Sequence, residues 1–399
     1  MQATLRETFE QALGEIDLQD SGKVVQVVDI VLAQAQAAGA SDVHLVPDDS
    51  GLVMTWRIDG VLQPILNFPK ATAANIVSRL KVMAELLTYR TDTPQEGRIH
   101  APGDGVEMRV STFPTLYGEK TVVRLFVASG QYRVLGDLGL PEDVEGNLRQ
   151  LLTQNGGIVL VTGPAGSGKT TTIYACLREL VDKFGEHKSL VTLEDPIEAV
   201  VRGVAQSQVN PRAEFTYSTG LRSLMRQDPE VIMVGEIRDR ETAEIVFQAS
   251  LTGHLVMTTF HAGSAAGAIS RLSDMAIEPY LLRSGILGIV CQRLVRSLCD
   301  CCKEIPDEAG KLGLPVQHAW EPVGCDACGG TGYRGRLVLA EMLMPDLKEM
   351  GRAILSRSDA AEIEELAIQS GMKSCQQRAC QAVEEQRTSP AEVRRVLGF

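Results

Sequence analysis

GGIVLVTGPAGSGKTTTIY, residues 156–174, runs from an apolar strand through a glycine-rich loop into a helix. Gly163, Pro164, Ala165, Gly166, Ser167, Gly168, Lys169 and Thr170 match G-x-x-x-x-G-K-[ST], with the strand before and the helix after that this loop requires. Successive backbone N–H groups around Gly166 to Lys169, at a helix N-terminus, form an anion cradle. Glycine there permits φ > 0 and close approach of phosphates. Lys169 is expected to reach the β- and γ-phosphates of a nucleotide and the Thr170 hydroxyl to ligate Mg²⁺, with Thr171 extending the loop into the helix. A glycine-rich turn followed by a chance Lys-Thr would not account for the flanking strand and helix.

Helix and strand signals alternate from Val144 to about Met344, through "KSLVTLED", "PEVIMVGEI", "DRETAEIVFQAS" and "HLVMTTF". That alternation predicts an α/β domain with a largely parallel sheet covered by helices. The 399 residues exceed what a single core usually holds, so a second domain is expected. Residues 23–128 read as a small α+β domain. KVVQVVDIVLAQAQAAGA has helical periodicity ending at Gly39, Asp59-Gly60 marks a tight hairpin, and a helix is expected over 71–87. Three strands follow, with turns at Pro102 to Gly105 and at Tyr117-Gly118. Residues 1–22 read as a short polar lead-in, 129–140 as a Gly-rich linker, and 141–399 as the nucleotide-binding domain.

A phosphate loop needs carboxylates at the ends of neighbouring strands to hold Mg²⁺ and orient the attacking water. "LVTLEDPIE" offers Glu194, Asp195 and Glu198, and "VIMVGEIRD" offers Glu236, with Gly235 where an Asp is usual. Each could instead be an N-cap or a solvated helix start. Considered together at two strand ends, they point to a metal-proximal acid or base, and the choice of general base between Glu236 and the earlier acids stays open. His254 and His261 flank another strand. His254 reads as a satisfied core histidine, and His261, just past the strand, as a γ-phosphate sensor.

The net charge of −12 gives no global attraction for nucleic acid or anionic lipid. Two uncharged stretches, 151–168 and 245–270, carry too much Gly, Pro, Asn, Ser and His for membrane spans, and the N-terminus shows no export signal, so a cytoplasmic location is expected. Nine cysteines in such a chain argue for thiols or metal ligands rather than disulfides. Cys299 and Cys302 precede Cys325 and Cys328 by a gap of 22 residues, and two C-x₂-C pairs so spaced fit a closed Cys₄ zinc site over residues 297–336. A redox reading would leave one pair unexplained. Cys301 is the odd one out, and Cys176, Cys291, Cys375 and Cys380 read as core or helix residues.

Together these motifs resemble the secretion ATPase superfamily, specifically the assembly motors of type II secretion systems and type IV pili. "GPAGSGKTTTIY" looks like the family's Walker A, "TLEDPIE" like its Asp box, "RQDPEVIMVGEIRDRETAEI" like its Glu-bearing Walker B, and "TGHLVMTTFHAGSA" like its His box. "ASDVHLVP", "RIDGVL" and "MRVSTFPTLYGEKTVVRL" resemble the PAS-like domain that precedes the RecA-like core. The resemblance implies that Arg98, Arg109 and Arg124, otherwise strand-surface arginines, serve bound nucleotide. It also implies ATP, Mg²⁺ and Zn²⁺ as cofactors, a hexameric ring, and an inner-membrane platform protein as partner at the inner face of the cytoplasmic membrane. Membrane association would be through partners only, with no nucleic acid. Three departures stand out. Val46 takes the place of a common Glu, Ala165 that of a common Thr, and about twenty residues stand where larger motors carry a docking domain. The rival readings are a retraction motor of the same superfamily, a nucleotide-binding scaffold without turnover, and a RecA-like nucleic-acid translocase.

Overall fold

The computed structural model describes residues 5–14, 16–99, 108–125, 134–305, 308–345 and 348–398. The chain forms two compact units: Met1–Ala128 with Leu298–Glu304 and Pro322–Gly335, and Ser129–Ser297 with Ile305–Glu321 and Arg336–Phe399. The two cysteine-bearing segments of the expected 297–336 region thus group with the first unit, and the residues between them with the second.

The first unit holds helices α1 (Leu5–Leu13), α2 (Val24–Ala37) and α3 (Lys70–Met83). Its strands are β1 (Asp42–Pro47), β2 (Gly51–Ile58), β3 (Val61–Pro69), β4 (Gln95–Ile99), β5 (Met108–Thr115) and β6 (Gly118–Leu125). They form one antiparallel sheet in the order β3-β2-β1-β6-β5-β4. α2 buries Val24, Val27, Val28, Val31, Leu32 and Ala35, one face of a 3.6-residue period, and Gly39 beyond its end has φ +70°. Asp59 and Gly60 both take positive φ, as a two-residue hairpin between β2 and β3 demands. α3 stops four residues short of the expected Leu87, with Glu85 in the left-handed region.

The expected lead-in contributes to the core. α1 buries Phe9 and Leu13, and Phe9 meets Trp56 edge-on with centroids 5.4 Å apart. The mixed charges of this stretch hid a two-residue apolar anchor. The expected turn at Pro102 to Gly105 lies outside the described residues.

The second unit is built on a seven-stranded sheet ordered β15-β12-β7-β11-β10-β8-β9. The strands are β7 (Gly157–Thr162), β8 (Leu190–Glu194), β9 (Ala205–Gln208), β10 (Val231–Val234), β11 (Leu255–Phe260), β12 (Ile286–Leu298) and β15 (Tyr333–Leu343). The short β13 (Lys303–Glu304) and β14 (Glu321–Pro322) form a separate two-stranded sheet. From β12 to β9 every neighbouring pair runs parallel, and β7, β8, β10 and β11 are buried along their whole length. That burial explains their unbroken apolar runs.

The helices of this unit are α4 (Glu142–Leu151), α5 (Lys169–Phe184), α6 (Tyr217–Leu224), α7 (Arg240–Leu251), α8 (Ala265–Asp274) and α9 (Pro279–Gly285). Four more follow the sheet: α10 (Glu349–Leu355), α11 (Ala360–Gln369), α12 (Cys375–Glu384) and α13 (Pro390–Leu397). Of the expected linker, 129–133 lies outside the described residues. Leu135–Leu138 form a 3₁₀ turn, and Leu135 and Leu140 join the second core.

Candidate active site

β7 delivers the phosphate loop at its C-terminal end, and α5 starts at Lys169. Gly163, Gly166 and Gly168 have φ of +145°, +75° and +89°, all left-handed. Gly163 has no room for a side chain either. A Cβ there would stand 2.5 Å from both the Gln292 carbonyl oxygen and Ser167 Oγ. Thr162 Oγ1 donates to the Phe260 carbonyl at 3.1 Å and accepts from Ala262 N–H at 2.9 Å, tying the ends of β7 and β11 together.

Lys169 Nζ donates to the carbonyls of Gly163 and Pro164, each at 2.9 Å. Burial pulls its pKa below the ordinary lysine value, against support from Glu236. Pro164, Ala165, Gly166 and Thr170 are exposed, Gly168 and Thr171 half-buried, and Ser167 is 2 % exposed with its Oγ lacking a partner among the described residues. Left-handed glycines, a lysine bonded only to carbonyls of the loop's own start and an orphaned buried hydroxyl together fit a polyphosphate.

β10 ends at the same edge of the sheet as β7, with β11 between them. Gly235 N–H donates to the Leu193 carbonyl at 2.9 Å, and the Gly235 carbonyl accepts from Thr259 Oγ1 at 2.7 Å, so Glu236 leaves a backbone pinned on both sides. A side chain at Gly235 would bring its Cβ within 2.6 Å of the Tyr217 hydroxyl. His261 Nε2 lies 3.6 Å from Glu236 Oε2. Burial, then Lys169, lower the His261 pKa, opposed by Glu236. Arg238, which sequence reasoning passed over, donates to Glu236 and lies 3.2 Å from Asp195 Oδ2. Its place two residues after Glu236 in "GEIRD" was the available signal.

Glu194 is 2 % exposed, and its carboxylate accepts from Tyr174, from Thr192 Oγ1 at 2.7 Å and from Gln206 Nε2 at 3.1 Å. Each oxygen accepts from at least one internal donor, so the side chain ties α5, β8 and β9 together. Glu198 is exposed, and its backbone N–H donates to the Tyr174 hydroxyl at 3.1 Å. His254 accepts or donates locally, to the Ala249 carbonyl at 2.9 Å and Thr252 Oγ1 at 3.1 Å, and is structural.

In the first unit, the register Arg98↔Arg109↔Arg124↔Asp42↔Arg57 draws one row across five adjacent strands. Directly opposed residues share a face, and stacked like charges destabilise a sheet unless something neutralises them. Buried Asp42 does so in part, accepting from Arg124 Nε at 3.0 Å and lying 3.7 Å from Arg57 Nε. The three expected arginines are therefore brought together, and Arg57 joins them.

Cys299, Cys302, Cys325 and Cys328 place their sulfurs within 4.8 Å of one another. The Cys299–Cys325, Cys302–Cys328 and Cys325–Cys328 separations are each 3.8 Å. A regular tetrahedron of thiolates about 2.3 Å from zinc has edges of about 3.8 Å. Burial would raise the Cys328 thiol, but N–H groups of Cys325 and Gly332, at 3.2 and 3.1 Å, outweigh it and bring its pKa to about 7. Cys301 is exposed and outside the cluster. Cys291, Glu341 and Cys375 also converge, all buried. Glu341 there accepts from the first N–H groups of α8 and α12 at 2.8 Å each, which explains a buried carboxylate without a metal.

The type II/IV secretion system protein family matches residues 17–395. The chain belongs to this family. A type II secretion system protein E of Aeromonas hydrophila is 42% identical over 98% of the chain and 79% of its own length. The type II secretion system ATPase E of Vibrio cholerae is 43% identical over 86% of the chain and 69% of its own length. Among solved structures, the pilus retraction motor PilT with bound ADP superposes with a TM-score of 0.62 at 25% identity, covering 92% of this chain and 95% of that one. The Legionella pneumophila ATPase DotB gives 0.67 at 22% identity over 91% and 93%, a likeness of fold. Family membership accounts for the order of the motifs and for the α/β architecture of a secretion ATPase. No helix among the described residues is long and apolar enough to cross a membrane.

Proposed function

We propose that this chain is a Mg²⁺-dependent ATPase that drives assembly of a type II secretion pseudopilus or a type IV pilus. The carrying observation is the grouping of Lys169, Glu236 and His261 around a phosphate loop whose lysine, among the described residues, donates to loop carbonyls alone. ATP with its magnesium ion supplies an activated phosphoryl group and a Lewis acid. Gly163 to Thr171 hold the phosphates, Lys169 neutralises their charge, and Thr170 with Glu236 serves the metal.

Glu236 is the general base or water-orienting acid. It is partly open to solvent, whereas Glu194 is buried and engaged. His261, kept neutral, reports on the terminal phosphate. Arg98, Arg109 and Arg124, in register across one sheet face, supply guanidinium groups to nucleotide phosphate. The tetracysteine cluster holds a structural zinc ion with no open position.

The working form is a hexamer in the cytoplasm, engaged by an inner-membrane platform protein. The likeness to PilT favours retraction as the second reading, and the tetracysteine site favours assembly. Phosphate release by the full chain, assayed with Mg²⁺, with DNA and with a platform protein's cytoplasmic region, tests the proposal. Turnover that is indifferent to DNA supports it. Absence of turnover in the verified oligomer with that partner contradicts it.

A further inference from the structure

β7 has a parallel neighbour on each side, β11 and β12. The register sets Thr162 against Phe260 on one flank and against Cys291 on the other. The residue after each is therefore level with Gly163, where the phosphate loop begins: His261 on one side and Gln292 on the other. The chemistry proposed above uses the first and leaves the second without a task.

Gln292 is 3 % exposed, and its Oε1 is buried with no hydrogen-bond partner among the described residues. Its carbonyl oxygen abuts Gly163, its Nε2 lies 3.9 Å from where a Cβ on Gly168 would stand, and the orphaned Ser167 Oγ borders the same Gly163 position. Lys169 senses both residues that bracket it, Cys291 favouring the lysine's charge and Arg293 opposing it. Arg293 is itself held by the Gly263 carbonyl at 2.7 Å, which fixes this part of β12 beside the segment that carries His261. A buried amide with an unmet acceptor costs more than an apolar side chain of the same shape. Two such orphans against one glycine-rich loop are explained by a second state of the loop in which both are satisfied.

We infer that Gln292 is a positioning residue of the phosphate site, completing its hydrogen bonds only when nucleotide phosphates order the loop, with Oε1 accepting the proton of the Ser167 hydroxyl. β12 then becomes a second strand, opposite β11, that registers whether the loop is loaded. This rests on the nucleotide reading of the loop and adds a residue that acts through Ser167 rather than on the reacting atoms.

The test uses the full chain as wild type, Gln292→Leu, Gln292→Met, Ser167→Ala and the Gln292→Leu/Ser167→Ala double variant. Two readouts are taken: the melting temperature without nucleotide, and the affinity for a non-hydrolysed ATP analogue with Mg²⁺. The expected result is an unchanged or raised melting temperature without nucleotide, because an orphaned polar group has been removed. Affinity falls about tenfold in each Gln292 variant, and the double variant binds no more weakly than the weaker single one. Affinity within twofold of wild type in both Gln292 variants, or strictly additive losses in the double variant, overturns the inference. Wild-type protein that binds no analogue at all would instead overturn the nucleotide reading beneath it.

Discussion

The phosphate loop and the tetracysteine cluster are both candidate ligand sites, and they are prepared in opposite ways. The cysteine sulfurs already stand within 4.8 Å of one another, three of their separations at the 3.8 Å edge of a zinc tetrahedron, with N–H groups aimed at Cys328. In the phosphate loop, Lys169 is occupied by the loop's own carbonyls, Ser167 and Gln292 have unmet polar atoms, and Glu236 shares its carboxylate with Arg238 and His261. A site built for permanent occupation needs a fixed geometry. A site emptied and refilled in each cycle needs interim partners that a ligand can displace.

That contrast can be broken at four places. The largest effect is expected from Cys325→Ser, which should abolish bound zinc and cost on the order of 4 kcal/mol of stability, while Cys301→Ser keeps both; metal analysis and thermal melting of the two proteins decide it. Lys169→Ala comes next. It should lower kcat/KM for ATP by roughly 10²–10³-fold, and the melting temperature without nucleotide should barely move because the lysine's present bonds are to two carbonyls of its own loop. Steady-state kinetics beside a thermal melt separate those effects.

Glu194→Gln should destabilise the fold by about 1–3 kcal/mol, measured by denaturant unfolding, because an amide cannot accept all the bonds the carboxylate accepts. Its dependence on Mg²⁺ concentration should match wild type; a large rise in the Mg²⁺ requirement would restore Glu194 to the metal. The smallest effect concerns His261. Burial and Lys169 hold its pKa below 6.5, so the folded chain takes up this proton at lower pH than the unfolded chain. Its contribution to stability is therefore present above about pH 6.5 and lost as the pH falls through that value toward the lower folded pKa. His261→Gln should flatten the acid limb of stability and of ATPase activity below about pH 6.5, seen in melts and rate profiles.

The second unit was largely legible because its signals are local and redundant. Buried parallel strands give unbroken apolar runs, and the phosphate loop is fixed by glycines whose φ no other residue adopts cheaply. The pairing of the two C-x₂-C motifs was equally readable from spacing. What escaped depends on contacts distant in sequence. Gln292 lies 129 positions from Gly163 and meets it only because β12 pairs with β7. The convergence of Tyr174, Thr192 and Gln206 on Glu194 likewise joins residues that local pattern does not link. β12 and β15 went unrecognised because basic and polar residues punctuate them, as in CQRLVRSL. α1 was passed over because two buried residues among many charged ones make a weak periodic signal.

The most direct test of the central claim compares ATP binding with phosphate release in wild-type chain and Glu236→Gln under Mg²⁺. The account predicts that wild type binds and releases phosphate, while the variant binds ATP with similar affinity and its release falls by roughly 10²–10⁴-fold. A Glu236→Gln variant that turns over at the wild-type rate would contradict it.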